Sequence, residues 1–75
     1  MNKQEFIAAL EEMLEVDAGS LRGDEMLTEL PWDSLAVVSF IAMADEHLNA
    51  EVNPGKLAQA ESLADVLAMV EDYFD

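Results

Sequence analysis

The stretch from Ser34 to Leu48 constrains the fold more than any other part of the chain, because it is apolar on two sides at helical spacing. At about 100° per residue, Val37, Phe40, Ile41, Ala44 and Leu48 share one arc of a helix. Leu35, Val38 and Ala42 form a second stripe centred well away from the first, with Ala36 and Met43 elsewhere on the wheel. A helix apolar on two sides is either buried all round or offers one side to a partner. A chain of 75 residues supplies too few neighbours to surround a helix, since surface outgrows volume as domains shrink. The stripe of Leu35, Val38 and Ala42 is therefore expected to be an exposed docking face.

The flanking segments are helical as well. Asn2 followed by Glu5 reads as a capping box opening a helix from about Lys3 to Glu15, with Phe6, Ile7, Leu10, Met13 and Leu14 on one face. Asp17, Gly19 and Gly23 then break the periodicity. The connection from Val16 to Asp33 is long for so small a domain, yet Leu21, Met26, Leu27, Leu30 and Trp32 are spaced through it. Such a loop packs through its own side chains, and Leu27 and Leu30 are its expected pins. Pro31 disfavours helix at Leu30. Asn53-Pro54 opens a short helix to about Ala60, with Leu57 pointing inward. Ser62, with Asp65 three residues on, caps a last helix whose inner face is Leu63, Val66, Leu67, Val70, Tyr73 and Phe74. No strand, repeat or low-complexity tract is visible. The expected fold is all-α: one domain over residues 1–75, a small antiparallel bundle of three longer helices plus one short helix, with a long ordered loop after the first.

Charge narrows the partners. Seventeen acidic residues face only Lys3, Arg22 and Lys56, a formal net charge of −14. Nucleic acids and anionic membranes require a positive patch, so neither is an expected partner. Proteins with basic surfaces are, and their encounter rates should fall as salt rises. No apolar run approaches membrane-spanning length and no basic-apolar leader opens the chain, so the reading is a soluble, cytoplasmic, monomeric protein, complete from Met1. Cysteine is absent, which removes disulfides and thiolate chemistry.

Ser34 is the one credible reactive centre. It lies between Asp33 and Leu35 where a proline-containing loop gives way to the doubly apolar helix. A hydroxyl there is exposed, lies beside free backbone N–H groups and sits at the positive helix end, which accommodates an attached phosphate diester. The plainer reading is a helix cap, a role that both Asp and Ser favour. Hydrolysis by Ser34 is not expected: there is no G-x-S-x-G elbow, and His47 lies almost four turns away along the same helix. Asp17, Asp24, Glu25 and Glu29 lack the spacing of a calcium loop, and the five methionines are too scattered for a target groove.

Taken together, these residues resemble the acyl carrier proteins along essentially the whole chain. The resemblance rests on the acidic length, the long first loop with Leu27 and Leu30, and Asp33-Ser34-Leu35 opening a helix. It extends to the Val37/Phe40/Ile41/Ala44/Leu48 face, Val52-Asn53-Pro54, and Ser62-Leu63. It implies that Ser34 carries 4′-phosphopantetheine, installed from coenzyme A by a phosphopantetheinyl transferase, and that the arm's thiol holds acyl groups as thioesters. It further implies that the chain is not an enzyme. Its partners would be that transferase and the acyl-loading and condensing enzymes of fatty-acid, polyketide or related biosynthesis, with basic or apolar docking surfaces. Asp33 would lie beside the transferase's metal or the cofactor phosphate, while Leu35 and Val38 would contribute to the face those proteins grip.

Three departures from the family's pattern stand out. Trp32 stands where Gly or Ala is usual, Pro31 precedes it, and Ala36 and Ser39 occupy positions often acidic in fatty-acid carriers. These departures suggest a specialised carrier whose partners read a more apolar helix. Trp32 either packs over the loop or flanks the arm beside Ser34. Two other readings remain at this point: an aminoacyl or peptidyl carrier with the same serine and arm, and an acidic helical adaptor that binds through Leu35, Val38 and Ala42 with no prosthetic group.

Overall fold

A computed structural model describes residues 1–75 as four α-helices and two 3₁₀ turns, with no strand. The helices are α1 (Lys3–Leu14), α2 (Ser34–Leu48), α3 (Pro54–Ala58) and α4 (Leu63–Ala68); the 3₁₀ turns are Leu27–Glu29 and Glu71–Tyr73. The small all-α bundle and its long ordered first loop agree with the sequence.

Local side-chain chemistry sets the helix starts. Asn2 accepts the Glu5 N–H at 2.8 Å while Glu5 accepts the Asn2 N–H at 3.0 Å, a reciprocal capping box. Ser62 and Asp65 repeat the arrangement at α4, with both bonds at 3.2 Å. Asn53 caps α3 by accepting from Gly55 and Lys56, with Pro54 at the first helical position. At the other end, α2 stops at Asn49 in the left-handed region, and the Ala50 N–H reaches back to the Ala44 carbonyl at 3.1 Å.

The core joins α1 to α2 through two aromatic rings. Phe6 and Phe40 are fully buried and meet edge-on, centroids 5.9 Å apart and planes at 84°. Burying a side chain of this size contributes about 1.5–3 kcal/mol. Leu10, Leu57, Leu63, Val66 and Val70 are the other large side chains that are fully enclosed, so every helix contributes.

The long loop is held at several points, as its apolar residues imply. Leu27 is buried and Leu30 packs against the core, but Leu21 is buried too and is a further pin. Gly23 has φ +104°, and a Cβ there would stand 3.6 Å from the Leu67 side chain. The loop is also stitched to the link before α4: the Leu27 N–H donates to the Glu61 carbonyl at 3.0 Å and the Leu63 N–H to that of Glu25 at 2.7 Å. These bonds flank an isolated antiparallel bridge between Met26 and Ser62.

Two details differ from the apolar spacing. The last helix is α-helical only over Leu63–Ala68 and tightens into the Glu71–Tyr73 turn, leaving Tyr73 45% exposed rather than on the core face. Glu71 and Asp72, with no basic residue in the last turn of α4, oppose continuation at the negative helix end. Phe74 still returns to the core, 5.5 Å from the Phe6 ring. On α2 the buried set is Ala36, Phe40, Met43, Ala44 and Leu48, so Ala36 and Met43 face inward while Val37 and Ile41 are half-buried at the margin.

Candidate functional site at the start of α2

The approach to α2 is built around Pro31. The Trp32 N–H donates to the Leu30 carbonyl at 2.7 Å, closing a tight three-residue turn on the proline. Asp33 follows in extended conformation, and its Oδ1 accepts the Ala36 N–H at 2.9 Å. Asp33 is thus the cap, and Ser34 is the first helical residue. Ser34 is exposed, and its hydroxyl bonds to no group of the chain. The plainer expectation that Ser34 serves as the cap is set aside by Asp33. The N–H groups of Ser34 and Leu35 have no partner within the chain and lie at the positive end of a 15-residue helix.

Two surfaces flank that hydroxyl. One is the second apolar stripe: Leu35 is 73% and Val38 63% exposed, and Ala42 is exposed as well. At about 100° per residue these three lie opposite the buried arc. The other is an open cleft of roughly 420 Å³ on the far side of Ser34, walled by Leu27, Trp32, Val37, Leu57, Ala58 and Ala60, with Thr28, Asp33 and Ser34 as its polar residues. Trp32 is half-buried, with its ring 6.0 Å from that of Phe40 at 60°. It therefore packs on the core and lines the cleft at once. Ala36 is only 5% exposed, so it belongs to the core rather than to a surface that a partner could read.

The acidic groups divide by role. Glu11, buried on α1, accepts the Leu21 N–H at 2.9 Å; backbone N–H groups of Gly19, Leu21 and Ser20 hold its carboxyl below the usual range against a smaller upward push from burial. Burial pushes Glu25 up, but the backbone N–H groups of Arg22 and Gly23, at 2.7 and 2.9 Å, outweigh it and leave the carboxyl lowered. The backbone N–H groups of Glu61 and Ser62 lower Asp65 in the same way. These three carboxylates act as loop and cap ligands. The only ion pair joins the Met1 ammonium to Asp75, so Lys3, Arg22 and Lys56 pair with no carboxylate. No group of three or more His, Asp or Glu side chains is assembled for a metal ion. His47 is exposed and thirteen residues beyond Ser34 on α2, about 20 Å along the axis.

The fold and the site define a class of protein: a small helical domain without an assembled catalytic group, whose most exposed large apolar side chains lie on one helix. Within that class the chain belongs to the phosphopantetheine attachment site family, whose sequence model matches residues 4–70. No curated protein and no solved structure gave a significant match. The chain is therefore a carrier that bears covalent 4′-phosphopantetheine, and the adaptor without a prosthetic group is set aside. Domains of this family are generally not enzymes but substrates of phosphopantetheinyl transferases. No helix is long and apolar enough to cross a membrane.

The surroundings of Ser34 fit the group. An exposed, unbonded hydroxyl, two free N–H groups and an adjoining apolar cleft can receive a phosphodiester with an organic tail. No basic side chain lines that cleft, so the helix end is the positive element there. Sequence reasoning missed the cleft's other residues, Thr28, Leu57, Ala58 and Ala60, because they come from separate segments.

Proposed function

We propose that the chain is an acyl carrier protein and that Ser34 bears its 4′-phosphopantetheine arm. The observation that carries this reading is the exposed Ser34 hydroxyl, left without a bonding partner because Asp33 supplies the cap. Transfer from coenzyme A joins Ser34 Oγ to phosphorus and releases the nucleotide half of the donor. The arm supplies a thiol that this cysteine-free chain lacks, and the thiol holds acyl groups as thioesters. The chain itself contributes tethering, which raises the effective concentration of cargo at each partner. Leu35, Val38 and Ala42 form the face that the transferase and the acyl-loading and condensing enzymes grip, with Asp33 and Trp32 at its head. Their exposure supports this, since that much apolar surface on one helix has no role in the fold.

The protein acts as a monomeric single domain in the cytoplasm, in fatty-acid, polyketide or related biosynthesis. Its net charge of −14 favours partners with basic surroundings. Ser39, partly exposed where fatty-acid carriers often have an acidic residue, leaves the surface beside the stripe less acidic than in housekeeping carriers, which supports a specialised set of partners. The test is co-expression with a permissive phosphopantetheinyl transferase followed by intact-protein mass spectrometry. One phosphopantetheinyl group is expected on the wild type and none on Ser34→Ala. An unmodified wild type, or a modified Ser34→Ala, refutes the assignment. Protein isolated from its native cells would then show acyl rather than aminoacyl or peptidyl cargo.

A further inference from the structure

We infer that Trp32 is a positioning residue for the phosphopantetheine arm, holding its base along the cleft between the Leu27–Glu29 turn and α3, away from the Leu35/Val38/Ala42 stripe. This inference rests on Ser34 being the attachment residue.

Three features of Trp32 converge on that role. Its backbone is fixed, because its N–H is bonded to the Leu30 carbonyl across the Pro31 turn. Its ring is fixed on one side by Phe40, 6.0 Å away. Part of the residue stays exposed, and Trp32 lines the same cleft as Ser34. The indole N–H donates to no group of the chain, and no buried polar side-chain atom lacks a partner, so this donor reaches solvent. Packing against Phe40 and the core accounts for the covered part of the residue. It does not call for a donor left without a partner in the chain.

The chemistry of the arm matches what the cleft offers. Beyond its phosphate the arm carries a carbon with two methyl groups and then two amides. A flat apolar ring with a single N–H at its edge suits methyl groups followed by a carbonyl acceptor. Leu27, Val37, Leu57 and Ala60 continue the apolar wall, and Thr28 adds a hydroxyl. The pocket on the other side, lined by Pro31, Asp33, Leu35, Ala36 and Ser39 among others, is smaller, roughly 170 Å³, and Ser34 does not line it. An arm laid there would gain fewer contacts and would cover the stripe. Because the arm is tethered next to the indole, even a weak contact is populated.

The chain's single tryptophan gives the test a unique signal. Nitrogen-15 NMR spectra of the apo and holo protein are compared, with the holo form first verified by mass to carry one arm. The indole N–H cross-peak is expected to move on loading, and the arm's methyl protons to shift upfield from their positions in free pantetheine under the ring current. In holo Trp32→Leu, which keeps an apolar side chain against Phe40, the methyl signals are expected back at the free positions. An unmoved indole peak together with methyl signals at the free positions in the wild-type holo protein overturns the inference, and that comparison needs no variant to fold. A chain that cannot be loaded refutes the Ser34 reading instead, so the two failures are distinguishable.

Discussion

On α2, Phe40 and Ala44 are completely buried, while Leu35 and Val38 on the opposite side are 73% and 63% exposed. The residue types are similar, so hydrophobicity alone does not decide which side is core. Neighbours do: α1 supplies Phe6 and Leu10, and Leu57, Leu63 and Val66 come from α3 and α4, all packed with the inner arc. Nothing remains in a chain this short to cover the outer one. One helix thus stabilises the fold through its inner side, and its exposed outer side is the docking face we propose, with Ser34 at its head.

The largest effects should separate the two sides. Phe40→Ala is expected to cost about 3–5 kcal/mol, close to the whole stability of so small a domain, roughly 3–5 kcal/mol. Its circular dichroism should lose helical character. Val38→Asp should keep that signal intact yet slow transferase modification by roughly tenfold or more, as truncating a central contact does. If Val38→Asp unfolds the chain, or leaves modification unchanged, the outer side is not a docking face.

A smaller pair sharpens the division of labour at the helix start. Asp33→Ala should lower stability by about 1 kcal/mol through loss of the cap. Ser34→Ala should stay within about 0.5 kcal/mol of wild type, because its hydroxyl bonds to nothing in the chain. Thermal melts of both variants check this, and an equal loss in the two would return Ser34 to a structural role.

The smallest expected effects are electrostatic. The folded state lowers the Glu11 carboxyl, so its contribution is complete above the ordinary glutamate value of about 4.3 and disappears as pH falls through the lowered one. Glu11→Gln, which keeps an acceptor for the Leu21 N–H but does not titrate, should flatten the acid side of a stability-against-pH curve. At neutral pH the melting temperature of the wild type should rise modestly with added salt, as screening relieves repulsion among 17 acidic groups. A flat response would contradict self-repulsion.

Much of this was legible because the governing signals are local. Asn2, Asn53 and Ser62 each act within three residues, and each caps its helix as its spacing implies. The exposed stripe was legible because period and chain length together forbid burying both sides of α2. The inward turn of Ala36 and Met43 was not, since a helical wheel carries no information about where neighbours stand. Nothing in the sequence singles Glu11 out from its acidic neighbours; only the folded loop brings the Gly19, Ser20 and Leu21 N–H groups to it. The cleft depends on Leu27, Trp32 and Leu57 meeting across separate segments, and Trp32 both packs on Phe40 and lines that cleft beside Ser34.

The central claim is that one oxygen, Ser34 Oγ, bears the arm, and peptide mapping tests it most directly. With basic residues only at 3, 22 and 56, trypsin places Ser20 in residues 4–22, Ser34 and Ser39 together in residues 23–56, and Ser62 in residues 57–75. Tandem fragmentation of the middle peptide from the loaded protein should locate the added mass on Ser34 and leave Ser39 bare. Added mass on Ser20, Ser39 or Ser62 would contradict the account.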